Sequence, residues 1–183
     1  SNIMDSYIEQ LVEHKQDYRD FLIKVVMILS VFAILALGVL FGMMVNAYLM
    51  VVGFFIAVFD IYFCWYVISG RRVEYEYTVT NNNLQIDKVM AKRRRKEVLS
   101  IDIKKIEGFD KITENRINAK KCNKVFYLGT YEDDPSQHRF IVQTKNYGRI
   151  MVVFAPNEKV LNEIKKHLKP EVKIEMLKAS SQK

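Results

Sequence analysis

The hydrophobic pattern changes its character twice along the chain. Between Lys24 and Arg71 lie 46 residues that hold one carboxylate, Asp60, and no lysine or arginine. A straight helix of that length would reach about 69 Å, against roughly 30 Å of bilayer hydrocarbon. The block therefore folds back on itself. Asn46, near its middle in Met43-Met44-Val45-Asn46-Ala47-Tyr48, predicts a first span near 23–44, a tight turn and a second span near 49–69. Backbone groups in lipid must bond within their own segment, so both spans are expected to be helical. A cleaved signal peptide does not fit, because the block is too long, starts late and lacks a small-residue cleavage site.

Ahead of the block, Ile8, Leu11, Val12 and Tyr18 recur at helical spacing, and Ser6-x-x-Glu9 has the form of a capping box. Residues 1–20 are thus read as an amphipathic juxtamembrane helix. Its five acids against two bases before Lys24 favour contact with a basic domain over anionic lipid. Ser1, Asn2 and Ile3 ahead of Met4 are read as a cloning remnant and set aside.

After the block the period falls to two. Val73-Glu74-Tyr75-Glu76-Tyr77-Thr78-Val79 reads as a half-buried strand, Asn81-Asn82-Asn83 as a turn, and Leu84 and Ile86 as the return strand. Leu99, Ile101 and Ile103, then Ile106 and Phe109, then 125–128, 139–143 and 150–154 continue the series to about seven short strands. Asn146-Tyr147-Gly148 is a hairpin turn. Beyond Pro156, Val160, Leu161, Ile164 and Leu168 mark one face of a helix. Pro170 is expected to end it, leaving 170–183 as a flexible tail.

Charge sorts these parts by side of the membrane. Lys15, Arg19 and Lys24 precede the first span, Arg71 and Arg72 follow the second, and the turn between them has none. By the positive-inside rule both termini are cytoplasmic, which makes this a multi-pass protein of the cytoplasmic membrane. Residues 71–183 carry 25 Lys+Arg against 15 Asp+Glu, a basic balance that suits anionic headgroups. Nucleic acid is disfavoured by the tether and by the lack of a reading motif.

Within the spans, Gly38 and Gly42, and Gly53 and Ala57, recur at four-residue spacing and permit close helix contact, within the hairpin or between copies. Asp60 lies about 21 Å down the second span from Asn46, level with Ser30. A hydrogen bond to Ser30, or a reach toward inner-leaflet water, is expected for that acid in preference to a proton pathway.

The segment Tyr75-x-Tyr77-x-Val79-Thr80-x3-Leu84-x-Ile86, a basic connection, and Leu99-x-Ile101-x-Ile103-x2-Ile106 are similar to the pattern of bacterial PH-like domains in small membrane proteins. In that group two membrane helices often precede the domain, and the chain resembles small Firmicute membrane proteins of this architecture. The resemblance implies a PH-like domain over 71–169, a partly open barrel or sandwich of antiparallel strands capped by one C-terminal helix. It implies no activity and carries over no catalytic residues.

The sharpest chemical feature is the run Lys92-Arg93-Arg94-Arg95-Lys96, with Lys88 close by. Together with Arg71 and Arg72 it is expected to contact anionic lipid or a protein partner. Two other readings stand beside it: a charged strand edge that blocks pairing with another chain, and docking on an acidic surface such as Glu132-Asp133-Asp134 of a second copy. His14, His138 and His167 are scattered, with His138 expected on an exposed loop, and Cys64 and Cys122 are expected as free thiols. No nucleophile elbow, phosphate loop or metal-spaced cluster is present. The expectation is therefore a binding and assembly module, without enzymatic activity, cofactor or metal. An accessory subunit that joins a larger membrane complex through its hairpin is the alternative.

Overall fold

The computed structural model describes residues 7–14 and 18–182. Contacts divide the chain into two units, one of residues 16–72 and the other of residues 1–15 together with 73–183. The second unit is thus interrupted by the first.

The inserted unit is a helical hairpin of α1 (Tyr18–Met44) and α2 (Tyr48–Gly70). Asn46 makes the turn: its carbonyl accepts from Leu49 N–H at 3.0 Å and its side chain from Tyr48 N–H at 3.2 Å. Both helices are long and apolar enough to cross a membrane, with mean hydropathy 2.8 and 2.1. Their large apolar side chains are mostly exposed, Phe32 to 66% and Phe59 to 77%, so the chain itself does not cover them. The helices approach most closely at glycine. A Cβ on Gly53 would stand 2.8 Å from Gly38 Cα, and one on Gly42 would overlap the Met50 side chain at 2.1 Å. Ala57 is buried in the same hairpin. Ser30 Oγ lies 2.9 Å from Asp60 Oδ2 and 2.6 Å from the Met27 carbonyl, which gives the acid a donor within its own hairpin. At the other end, the guanidinium of Arg71, the residue that caps α2, pairs with Asp20 on the first turn of α1.

The interrupted unit holds eight strands in two four-stranded sheets. The first has the order β1 (Tyr7–Glu13), β2 (Val73–Thr80), β3 (Asn83–Met90) and β4 (Arg94–Asp102), all antiparallel. The second has the order β5 (Ile106–Lys111), β7 (His138–Thr144), β8 (Gly148–Phe154) and β6 (Lys124–Tyr127), with β6 parallel to β8. Helices α3 (Glu158–His167) and α4 (Pro170–Ser181) follow. One apolar cluster draws on both sheets and both helices; Tyr77, Leu84, Phe109, Phe140, Phe154 and Ile164 are fully inside it. Tyr77 also ties the layers by polar bonds, since its hydroxyl donates to the Leu128 carbonyl and accepts from Ala155 N–H.

Three expectations are corrected. The N-terminal segment is the strand β1, paired with β2 from Tyr7↔Thr80 to Glu13↔Glu74, and not an amphipathic helix; Ser6 of the expected capping box lies outside the described residues. The spacing of Ile8 and Val12 fits either period, and the polar residue between them on the inward face is Gln10. Its side chain donates to the Ala155 carbonyl at 3.0 Å and accepts from Asn157 N–H at 2.7 Å, so a half-buried, bonded amide looked like the solvent face of a helix. Strands therefore number eight, not seven. The expected tail is α4: Pro170 occupies its first turn, where a missing N–H costs nothing, and Val172 is buried in the core.

Because backbone meets backbone at the helix crossing, Gly53→Ile should destabilise the full-length protein by about 1–3 kcal/mol. Gly70→Ala, whose new Cβ would meet nothing within 4 Å, should leave it unchanged. Thermal unfolding of the two variants in one detergent checks the contrast.

Candidate functional site

Alternation and register decide where the basic run points. In an antiparallel sheet, directly opposite residues share a face. Lys88 stands opposite Lys96 and Tyr75, and Arg94 opposite Met90, which in turn faces Val73. Lys88, Arg94 and Lys96 are thus gathered on one face at one end of the first sheet. Lys92 and Arg93 complete that end in the connection between β3 and β4. Ala91 and Lys92 both have left-handed backbones, φ 54° and 57°, and Arg93 N–H donates to the Met90 carbonyl at 3.0 Å. The connection is three residues long, and its two left-handed positions are filled here without the usual glycine.

Arg95 belongs to the opposite face. It stands opposite Val89, and its guanidinium pairs with Glu76, with Asp87 3.9 Å away. Arg71 is likewise engaged, by Asp20. Arg72 follows it at the end of α2, its N–H bonded to the Ser69 carbonyl at 3.4 Å. Of the expected contact residues, Lys88, Lys92, Arg93, Arg94 and Lys96 make no ion pair among the described residues. β4 is the outer strand of its sheet, so the run is both a strand edge and a hairpin end.

The acidic side of this arrangement escaped the sequence reading. Glu76 and Asp87 are directly opposite, as are Asp87 and Glu97, and Glu76 and Asp87 are buried. Burial and the adjoining Glu9 carboxyl, which shares a hydrogen bond with Glu76, hold the Glu76 pKa above its ordinary value; Arg95 offsets part of that rise. The period-two pattern already put Glu74 and Glu76 on one face, but their partners on β1, β3 and β4 depend on register, which the sequence does not print.

The same end of the sheet is where the chain enters and leaves the helical insertion. His14 N–H donates to the Val73 carbonyl at 3.0 Å, and Val73, Met90 and Arg94 are successive neighbours across three strands. At about 4.8 Å per strand, Arg94 lies on the order of 10 Å from Val73. Groups of three or more His, Cys, Asp or Glu that could hold a metal are absent among the described residues.

A family model described as Bacterial PH-like domain (DUF6106) matches residues 4–174. No curated protein and no solved structure matches the chain.

A carboxyl whose folded-state pKa is raised holds its proton more tightly folded than unfolded. The contribution of Glu76 to stability is therefore lost as pH rises from about 4 through its folded value, while Glu9, lowered by the same hydrogen bond, offsets part of that loss. The stability of Glu76→Gln relative to the parent should accordingly increase between pH 4 and pH 7, and chemical denaturation at the two pH values checks the sign.

Proposed function

The chain belongs to the Bacterial PH-like domain family DUF6106, and from that premise we propose that it is a two-span protein of the cytoplasmic membrane. It holds its PH-like unit against the inner leaflet as a binding and assembly module. The observation that carries this reading is the pairing of β1 with β2 around the apolar hairpin. Two strands in one sheet must lie on one side of a bilayer, so the insertion crosses it an even number of times. Lys24, Arg71 and Arg72 at the open end of the hairpin, and the uncharged turn at its closed end, support the cytoplasm as that side.

The contact surface on this reading is the cationic end of the β3–β4 hairpin. Its support is the neighbour relation of Val73, Met90 and Arg94, since Val73 is three residues beyond the end of α2. A basic side chain near an anionic leaflet contributes about 1 kcal/mol. Tethering makes such weak contacts effective by keeping the local headgroup concentration high. Met90 on the same face supplies apolar surface beside the charges, and Arg95, occupied by Glu76 and Asp87, has no part in the contact.

Hydrogen exchange of the full-length protein in nanodiscs tests the proposal. Amides of residues 91–97 should exchange more slowly in phosphatidylserine-containing discs than in phosphatidylcholine discs. The triple variant Lys88→Glu, Arg94→Glu, Lys96→Glu should abolish the difference, whereas Arg95→Gln should keep it. Equal exchange in the two lipid compositions for the parent protein would contradict it.

A further inference from the structure

A cavity of about 330 Å³ lies at the β5–β7 side of the second sheet under α4, apart from the basic hairpin. Its wall includes Lys111 at the end of β5, His138 at the start of β7, Lys165 on α3, and Lys173, Met176 and Leu177 on α4. The carboxylates in the wall already have cations of their own. Asp110 is fully buried and receives Arg139 Nε at 3.0 Å and Nη2 at 2.7 Å, along with the backbone N–H groups of Arg116 and Ile117. Glu114 is held by Arg116 Nη2 at 2.9 Å. Lys111, Lys165 and Lys173 have no carboxylate partner among the described residues, and Lys173 Nζ donates to the Lys166 carbonyl at 3.1 Å.

His138 is the polar centre of this wall, and it is not on the exposed loop expected for it. Its ring lies 5.9 Å from that of Phe109, and its Nδ1 is sealed from solvent without a hydrogen-bond partner among the described residues. Burial, with Lys111 and Lys165 nearby, lowers its pKa, so at neutral pH the imidazole is uncharged and can donate a hydrogen bond. Opposite the charges, Met176 packs on the core while Leu177 stays 68% exposed at the rim. That apolar edge has no use for a bare inorganic ion.

We propose that this cavity binds a phosphomonoester attached to an apolar body, with Lys111, Lys165 and Lys173 around the phosphate, His138 as a neutral donor, and Met176 and Leu177 against the apolar part. A dianionic head matches three uncompensated ammonium groups better than a carboxylate with one charge. Such a head can belong to a lipid of the phosphatidic acid type or to a soluble phosphate ester. The site is independent of the basic hairpin, and each can fail without the other.

The test uses the full-length protein in phosphatidylcholine nanodiscs, titrated separately with dihexanoyl phosphatidic acid and with glycerol 3-phosphate while the His138 imidazole resonances are followed. Saturable shifts and a raised His138 pKa on binding are expected, because the added anion offsets the two lysines. Lys111→Ala with Lys165→Ala should weaken binding by about tenfold or more, or about 1.4 kcal/mol. Leu177→Ser should weaken the acylated probe alone, and Lys88→Glu, Arg94→Glu, Lys96→Glu should change neither. Tighter binding of the acylated probe supports the proposal with a lipid-like ligand; equal binding of the two overturns the role given to Met176 and Leu177. Absence of saturable shifts with both probes, or binding indifferent to loss of the two lysines, overturns the proposal.

Discussion

The ladder between β1 and β2 is the constraint from which the other features follow. Seven residues before the apolar insertion pair in antiparallel register with seven after it, and the two ends of the insertion are pinned together where His14 bonds to Val73. A chain that leaves a sheet, runs through 46 residues almost free of charge and returns to the adjacent strand has little choice of path. The insertion must be a hairpin, its two helices must lie close, and glycine at positions 38 and 53 lets them do so without a side chain in the way. Breaking the ladder would leave Ile8 and Val12 without their places at the core and expose the inner edge of β2.

The same register explains how a run of five cations becomes two different surfaces. Alternation sends Arg94 and Lys96 to one face and Arg95 to the other. On that second face Arg95 meets carboxylates from β2 and β3, and the charge is used to hold three strands together. On the first face Lys88 and Lys96 stand directly opposite one another, an arrangement that is unfavourable for the sheet by itself. Like charges gathered at the end of a hairpin have their natural counterpart in an anionic surface. On the proposed reading, this asymmetry is what distinguishes a contact face from a charged edge that merely keeps strands apart.

Much of the fold was legible in the sequence, for identifiable reasons. The helical hairpin follows from length and charge, the strands of 73–86 and 99–109 from strict alternation, and the turns from Asn81-Asn82-Asn83 and Gly148, where positive φ is required. The family resemblance lay in the same alternation, and the family model covers those strands. What stayed hidden depended on partners distant in sequence. Gln10 appeared as a solvent residue because its bonds go to Ala155 and Asn157, and with it β1 was lost. Pro170 reads equally as the end of one helix or the start of the next, and only the burial of Val172 decides. His138 looked like a loop residue because the stretch before it is polar, while Phe109, which covers its ring, is almost thirty residues away.

The pairing of β1 with β2 across the insertion can be measured directly in the full-length protein. In a chain with Cys64→Ser and Cys122→Ser, the pair Glu9→Cys and Thr78→Cys occupies opposite positions of the ladder and should form a disulfide under mild oxidation, seen as a reducible mobility shift of the monomer. The pair Tyr7→Cys and Glu74→Cys is six residues out of register, roughly 20 Å apart along the strand, and should not bridge, because a disulfide tolerates only about 7 Å between Cα atoms. Failure of the first pair to bridge, or equal bridging by both, would contradict a sheet closed around the apolar hairpin.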